Sequence, residues 1–301
     1  MFKELYCPKC KKTLSVTKHT VTCTHCDKHF PVKNNVLRLW GITDEKKSKG
    51  KSIIEKEFAF TTSLSKKKSQ HQAEEFLLRD MAACYAAKKI DEKGLGDIRK
   101  LLPHDLSKLR ILDIGAGYGK EAEYLRRWGA KHIVLTDLSS DFLKIASKRV
   151  QPKYSFQANA EHLPVKPHSF DIALFGSILH HVPDPFQALD EACRVANIVA
   201  GINEPSDMYE FKWVLEKTGW NTEYGNLKTH RFNPTELKNY FTSKGFTMKY
   251  STDYIWFPIS KLKSLSDNKS FVDAYFTLLS LADRIMPRYG HNLSFVAYKN
   301  V

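Results

Sequence analysis

From about residue 105 onward, short apolar runs alternate with stretches in which apolar residues recur at helical spacing. The runs RILDIG, HIVLTD and FDIALFG are almost entirely apolar, as expected for strands that are buried on both faces of a sheet. Strands that alternate with helices predict a mostly parallel sheet with right-handed crossovers. Residues 105–301 therefore predict an α/β domain.

The rest of this domain continues the pattern. YSFQANAEHLP and NIVAGINEP predict two further strands, and RFNPTELKNYF predicts a helix with Asn233 as its N-cap and Pro234 in its first turn. A strand after Gly245 and the run LSFVAYKN complete the set. The fold class that we predict is α/β, with a doubly wound, mostly parallel, seven-stranded sheet. Two aromatic-rich insertions, at about 206–230 and 256–290, are expected to pack on this sheet, and part of them is a candidate lid over the substrate.

The first 40 residues have a different pattern, because four of the six cysteines of the chain lie there in two C-x2-C pairs. The twelve residues between the pairs alternate like a hairpin, and two such pairs can complete a tetrahedral metal site. Residues 1–40 thus predict a small zinc-ribbon domain in which Zn²⁺ is structural, since four thiolates leave no open position. Two disulfides are the alternative, and His19, His25 and His29 lie near enough to replace a thiolate. The predicted zinc ligands are Cys7, Cys10, Cys23 and Cys26.

Residues 41–104 separate the two domains. Their first part is rich in lysine and poor in large apolar residues, which is typical of a linker. From Gln72 to Lys89 the apolar spacing predicts an amphipathic helix that covers the edge of the following domain, with Cys84 as a small buried residue.

The strongest chemical signal is the turn DIGAGYG after the first strand of the α/β domain. Its glycines let a ligand approach the backbone at the start of a helix. Position 120 is Lys120 and not the third glycine of a dinucleotide fingerprint, and Asp113 would repel a pyrophosphate. An acid there can pair with an ammonium group, which indicates S-adenosylmethionine. Asp137, at the end of the next strand, can accept hydrogen bonds from a ribose.

With these motifs, residues from about 105 to 205 resemble the type-11 class I S-adenosylmethionine-dependent methyltransferases. The resemblance implies that Asn159 and Ala160, in the segment NAEHLP, contact the adenine, although an aspartate is usual at position 159. It also implies an antiparallel last strand. The usual L-K-P-G-G turn before the fifth strand is absent. The segment that ends in FPVKNNVLRL is similar to the small zinc-ribbon proteins that activate RNA and protein methyltransferases. The cofactor residues implied together are Asp113, Gly115, Gly117, Gly119, Asp137, Asn159 and Ala160.

Three residues are candidates for catalysis. His180 and His181 follow the fourth strand, and either can act as a base near neutral pH if the acceptor must lose a proton. Glu204, at the end of the fifth strand, is a further candidate. A packing or capping role for each histidine is an equally good interpretation of the same sequence.

The net charge of +14 is concentrated near the N-terminus, where residues 1–50 hold 11 Lys and Arg against 4 Asp and Glu. Basic residues there favour RNA as the methyl acceptor. The loop FGSILHHV, however, lacks the N-P-P-Y type of motif that supports methylation of base nitrogens, and it favours a small molecule, which is our prediction. A binding module without activity is a third possibility.

We expect a cytoplasmic protein, because the N-terminus lacks the apolar segment of a signal peptide and no run is long enough to span a membrane. The pattern does not predict an oligomeric state.

Overall fold

The computed structural model describes residues 2–16, 20–33, 36–39, 84–207, 230–253, 263–285 and 290–300. The chain divides into two compact units. The first unit consists of residues 1–69, 103–178 and 182–199, and the second of residues 70–102, 179–181 and 200–301. None of the described helices is long and apolar enough to cross a bilayer.

The described strands are β1 (Leu14–Val16), β2 (Thr20–Cys23), β3 (His29–Lys33), β4 (Val36–Arg38), β5 (Arg110–Ile114), β6 (His132–Asp137), β7 (Tyr154–Gln157), β8 (Phe170–Gly176), β9 (Ala196–Pro205), β10 (Phe246–Asp253) and β11 (Asn292–Lys299). The described helices are α1 (Tyr85–Leu101), α2 (Lys120–Arg127), α3 (Ser140–Val150), α4 (Pro185–Val195), α5 (Pro234–Ser243) and α6 (Lys269–Ile285). Short 3-10 turns span Leu179–His181 and Lys263–Leu265.

In the first unit the strand order is β1-β2-β3-β4-β7-β6-β5-β8, and the beginning of β9 follows β8. β5, β6, β7 and β8 pair in parallel, which confirms the predicted parallel core. Their side chains are buried on both faces, for example Ile111 and Leu112 on β5. The helices that connect such strands cover both faces of the sheet, which explains why the sequence shows continuous apolar runs here.

The four N-terminal strands, β1, β2, β3 and β4, form an antiparallel meander. β4 also pairs in parallel with β7, so that Leu37 lies opposite Phe156 and Arg38 opposite Gln157. Leu37 and Phe156 are both fully buried. The meander and the parallel core therefore share one sheet and one apolar interior within the first unit.

Residues before the meander strengthen this attachment. Glu4 accepts hydrogen bonds from Lys153 Nζ (2.8 Å) and from Tyr154 Oη (3.0 Å). Burial raises the pKa of the Glu4 carboxyl, but these two donors outweigh burial and hold that pKa below its ordinary value. Tyr6 donates its hydroxyl to the Leu163 carbonyl at 3.1 Å.

The second unit contains the end of β9, followed in the sheet by β11 and β10. β10 and β11 run antiparallel over their full length, in agreement with the predicted antiparallel last strand. Helix α5 begins as predicted: the Asn233 side chain accepts hydrogen bonds from the Thr235 and Glu236 N–H groups, and Pro234 opens the helix.

The bounds of the predicted amphipathic helix were wrong. Residues 72–83 lie outside the described residues, but α1 begins at Tyr85 and continues to Leu101. Cys84 is not buried; it is the N-cap, in extended conformation, and its Sγ accepts a hydrogen bond from Ala87 N–H. Gly94 of this helix has no room for a Cβ, because the Asn203 side chain occupies that space.

The two predicted insertions are described only in part. Of the first, at about 206–230, only residues 206, 207 and 230 are described. The second, at about 256–290, contains helix α6, and Val272 and Phe276 of this helix pack with Ala86 of α1 in the second unit.

Candidate functional site

The glycine-rich turn lies at the carboxyl end of β5, in the first unit. Gly115, Gly117 and Gly119 all have positive φ angles, of 70°, 50° and 84°. These are left-handed conformations that favour glycine, and Gly119 is also the N-cap of α2. A Cβ at Gly115 would in addition collide with the Ile178 side chain. The sequence DIGAGYG thus forms a backbone cradle that a side chain would obstruct.

Asp113 lies at the base of this cradle and is only 1% exposed. Within the described residues, neither of its carboxylate oxygens has a hydrogen-bond partner. Burial raises the pKa of the Asp113 carboxyl well above its ordinary value, and the nearby charges of Glu121 and Asp137 raise it further, while Lys120 opposes them. A buried acid in this environment is suited to bind a cationic group.

Asp137 ends β6 and connects the cradle to the next loop. One of its carboxylate oxygens accepts a hydrogen bond from Gly117 N–H at 2.9 Å, and the other accepts from Ser139 N–H at 2.7 Å. The carboxylate is therefore fixed in position at the end of β6, and a carboxylate is the type of group that accepts hydrogen bonds from the hydroxyl groups of a sugar.

Asn159 and Ala160 follow β7. The Asn159 side chain is buried and contacts Glu161 twice: its Nδ2 donates to Glu161 Oε2 at 3.0 Å, and its Oδ1 accepts from Glu161 N–H at 2.9 Å. Glu161 Oε1 also accepts from Asp184 N–H at 2.8 Å, so that it links the Asn159 loop to the start of α4. Sequence reasoning missed Glu161, although it directly follows the Asn-Ala pair.

Two further residues beside the cradle were also missed. Glu121 is in the first turn of α2 and is buried, and Gly176 ends β8. A Cβ at Gly176 would collide with the Glu121 carboxyl group. The proximity of these residues depends on how the strands align, and no local pattern contains that information.

These residues fit the cofactor that the sequence implies. The Asp113 carboxylate, which is buried and has no hydrogen-bond partner in the described part of the chain, suits the ammonium group of the methionyl part, and the glycine cradle leaves room for its backbone-like atoms. Asp137 suits the ribose hydroxyls. The hydrogen-bonding groups of the site are complementary to a nucleoside with a cationic end.

The four N-terminal cysteines converge in the first unit. Their Sγ atoms all lie within 4.8 Å of one another, with Cys7 and Cys26 at 3.7 Å and Cys10 and Cys23 at 3.4 Å. A tetrahedral zinc site with Zn–S bonds of about 2.3 Å has sulfur atoms about 3.8 Å apart, which is close to these distances.

Backbone hydrogen bonds support this cluster. Burial raises the pKa of the Cys23 thiol, but backbone N–H groups, among them that of His25, outweigh burial and lower it to about 6. Of the three nearby histidines, His29 bonds Thr22 Oγ1 through its Nδ1 at 3.0 Å, and His19 lies outside the described residues. Neither His25 nor His29 joins the group of four cysteines.

The three candidate catalytic residues all belong to the second unit. Glu204 is fully buried at the end of β9 and accepts three hydrogen bonds, from Leu179 N–H (3.1 Å), His180 N–H (3.2 Å) and His180 Nδ1 (2.7 Å). The carboxylate thereby orients the His180 ring, and a neutral ring whose Nδ1 donates carries its lone pair on Nε2. His181 is more exposed, and its ring centroid lies 4.1 Å from that of His180.

Comparisons with known proteins agree with this description. Residues 112–197 match the family described as "Methyltransferase domain". A ubiquinone biosynthesis O-methyltransferase of Xylella fastidiosa is 38% identical over 101 residues, which are 32% of this chain and 39% of that protein. A ubiquinone/menaquinone biosynthesis C-methyltransferase of Bartonella quintana is 37% identical over 103 residues, which are 32% of this chain and 40% of that protein. The match thus spans about two fifths of these relatives.

Among solved structures, an S-adenosylmethionine-dependent methyltransferase of Thermotoga maritima, described as a possible histamine N-methyltransferase, is similar with a TM-score of 0.53. It is 21% identical, and the alignment covers 76% of this chain and 99% of that one. This similarity shows the class I methyltransferase fold.

Proposed function

We propose that this chain is an S-adenosylmethionine-dependent methyltransferase that transfers a methyl group to a small-molecule acceptor by in-line displacement. The observation that carries the proposal is Asp113, a buried carboxylate without a partner among the described residues, at the base of a glycine cradle. The match of residues 112–197 to a methyltransferase domain supports the same reaction.

Each part of the cofactor has a residue to hold it. Asp113 would bind the methionyl ammonium group, and the N–H groups and small volume of the cradle residues would hold the methionyl backbone. Asp137 would accept the ribose hydroxyls, while Asn159 and Ala160 would contact the adenine. When bound, S-adenosylmethionine supplies an electrophilic methyl group on a positively charged sulfur. Much of the acceleration of such a displacement can come from alignment of the two reactants.

His180 is our candidate for a general base. Its Nδ1–H is held by the buried Glu204 carboxylate, so Nε2 can take a proton from an acceptor hydroxyl or carbon acid. Glu204 is then a positioning residue, because its carboxylate contacts the imidazole and would stabilise it when protonated. His181 is the alternative base, since it is more exposed than His180.

We further propose that Cys7, Cys10, Cys23 and Cys26 bind a structural Zn²⁺, and that residues 1–40 form a zinc ribbon. The convergence of the four Sγ atoms supports this role. The free thiols that it requires favour a cytoplasmic location. Because the ribbon is small, the metal would supply much of its folding free energy, of the order of 10 kcal/mol.

Removal of zinc tests this part of the proposal. Treatment with a chelator, or Cys10→Ser, should release one metal ion per chain and lower the melting temperature by more than 10 °C. Metal content by mass spectrometry and thermal unfolding measure the two effects. Cys193→Ser is the matched control. Because Cys193 is outside the cluster, this variant should retain the metal. Full metal content in Cys10→Ser would contradict the assignment.

The acceptor is assigned as a small molecule because the two relatives are named for quinone biosynthesis and because the loop after β8 lacks a base-nitrogen motif. RNA is the second candidate, favoured by the basic residues 1–50. A transfer assay with tritiated methyl groups on cell extract, separated into RNA, protein and small-molecule fractions, decides between them. We expect label in the small-molecule fraction. Label in RNA alone would replace our first choice with the second.

A further inference from the structure

One residue of β9 has a backbone conformation that is unusual for a strand. Asn203, directly before Glu204, has a φ of 54°, in the left-handed region. Within the described part of the chain it is the only non-glycine residue that combines a positive φ with a place inside a strand. Asparagine is among the few residue types besides glycine that adopt this conformation readily. The sequence therefore has a tolerant residue at a point where β9 departs from regular strand geometry.

This departure comes immediately before the carboxylate that orients His180. In a regular strand the side chains alternate between the two faces of the sheet, whereas a left-handed residue interrupts the alternation and changes the direction of the next side chain, as in β-bulges. The next residue here is Glu204, which is 0% exposed and accepts hydrogen bonds from Leu179 N–H and from the backbone and ring of His180. The direction of the Glu204 side chain therefore depends on the backbone at Asn203.

Two neighbouring elements of the second unit hold Asn203 in this conformation. Its N–H donates to Ser294 Oγ on β11 at 3.1 Å. Its side chain lies against α1, where it occupies the space that a Cβ at Gly94 would need, and its Nδ2 is 3.5 Å from the Ile90 carbonyl oxygen. Contacts with β11 and α1 thus stabilise a backbone conformation that a strand does not adopt by itself.

We propose that Asn203 is a positioning residue for methyl transfer, because its left-handed backbone directs the Glu204 carboxylate towards His180. This inference rests on the proposed function, in which His180 is the general base. Asn203 acts through Glu204, and its role requires no contact with the acceptor. A residue that adopts the same positive φ without the carboxamide should therefore preserve the contact between Glu204 and His180.

Three substitutions at position 203 separate the backbone from the side chain. Asn203→Gly, Asn203→Ala and Asn203→Val all remove the carboxamide. They differ in their tolerance of a positive φ, which glycine adopts freely, alanine at a cost and valine hardly at all. If the backbone directs Glu204, the damage should increase from glycine through alanine to valine. If the carboxamide itself were needed, the three variants would be impaired equally.

Nuclear magnetic resonance of the zinc-loaded full chain, with ¹⁵N-labelled histidine, measures the contact directly. A His180 Nδ1–H that donates to the buried Glu204 should exchange slowly with water and give a separate low-field signal, which His180→Gln assigns by its loss. We expect this signal in the wild type and in Asn203→Gly, a weaker signal in Asn203→Ala and none in Asn203→Val.

Asn197→Val is the matched control for the valine variant. Asn197 is an exposed residue of the same strand and has no positive φ, so the same substitution there should keep the signal. Circular dichroism shows which variants are folded. If Asn203→Val does not fold, the comparison of Asn203→Ala with Asn203→Gly decides, and equal signals in these two overturn the inference.

Turnover completes the test. Asn203→Val should lower the rate of methyl transfer by about tenfold or more, because a positioned base commonly contributes about 100-fold. The Kd for S-adenosylmethionine should stay at the wild-type value. Added to Glu204→Gln, the valine substitution should lower the rate no further, since both changes act on the same carboxylate.

The outcomes for the inference and for the proposed function are separate. A signal that persists in folded Asn203→Val, or that disappears in Asn203→Gly, overturns the inference and leaves the proposed function intact. Its absence from the wild type overturns the inference together with the assignment of His180 as the base. A wild-type chain that does not bind S-adenosylmethionine overturns the proposed function itself.

Discussion

Two buried acids, one in each unit, have the same degree of burial and opposite hydrogen bonding. Glu204 in the second unit accepts three hydrogen bonds from Leu179 and His180. Asp113 in the first unit accepts none from the described residues. A buried carboxylate costs free energy unless donors or a cation compensate it. Glu204 therefore stabilises the structure around it, whereas Asp113 is an unfavourable element of the free protein that a cationic ligand would convert into a favourable one.

The largest effect that the comparison predicts is on ligand binding. Asp113→Asn should weaken the affinity for S-adenosylmethionine by about 100-fold or more, since a buried pair of opposite charges contributes about 3 kcal/mol. The melting temperature of the ligand-free protein should not fall, because the substitution replaces a buried carboxyl group that has no hydrogen-bond partner among the described residues. Calorimetry and thermal unfolding on the same sample measure both. A lower melting temperature with unchanged affinity would show that Asp113 is structural.

The second prediction is a loss of stability with little change in ligand affinity, the opposite of what is expected for Asp113→Asn. Glu204→Gln should lower the free energy of unfolding by about 2 kcal/mol, because its amide presents donor hydrogens to N–H groups that now donate to the carboxylate. Its affinity for S-adenosylmethionine should stay within about twofold of the wild type, and urea unfolding with calorimetry tests both statements. Turnover should fall if His180 is the base, because the carboxylate that orients its ring is lost. Wild-type stability would contradict the structural role.

The third prediction concerns pH. In the folded protein the pKa of Asp113 is raised above its ordinary value of 3.8, by burial first and then by Glu121 and Asp137. Below the raised pKa the carboxyl is protonated, and a cation binds only after the proton leaves. The affinity for S-adenosylmethionine should therefore rise with pH, by up to about tenfold per unit, and level off above that pKa. Titrations in buffers of different ionisation enthalpy should show proton release, and proton uptake would contradict the assignment.

The same shift changes the stability of the ligand-free protein. Between pH 3.8 and the raised pKa the folded state holds more protons at Asp113 than the unfolded state does, so this group's contribution to stability falls as pH rises. In Asp113→Asn this contribution should disappear. The free energy of unfolding should therefore be measured against pH for the wild type and for Asp113→Asn. The difference between the two curves is smaller than the change in binding, but it reports on the Asp113 carboxyl group alone.

The elements with strong local signals could be predicted from the sequence. The glycine turn requires positive φ at Gly115, Gly117 and Gly119, and only glycine adopts this readily, so the motif specifies its own geometry. The N-cap of α5 and the convergence of two C-x2-C pairs are local in the same sense. The parallel core followed from buried apolar runs.

What could not be predicted depends on contacts between distant residues. Glu121 has the sequence pattern of an ordinary exposed residue in a first helical turn, yet it is buried, and its carboxyl group packs over Gly176, which is distant in the sequence. The contact between Gly94 of α1 and the Asn203 side chain likewise joins residues that are more than 100 positions apart in the sequence. Hydrophobic periodicity contains no information on such pairs.

The parallel pairing of β4 with β7 has a consequence for how the protein would fail. An unpaired strand at the border of a sheet offers a row of free N–H and C=O groups to other chains. β4 occupies this side of β7, from Val36 opposite Ser155 to Arg38 opposite Gln157. If the four cysteines bind the proposed Zn²⁺, the metal would also protect the edge of β7 from pairing with other chains, because it would hold the meander that ends in β4. Loss of the metal should then appear as aggregation of the protein before any loss of catalysis is measured.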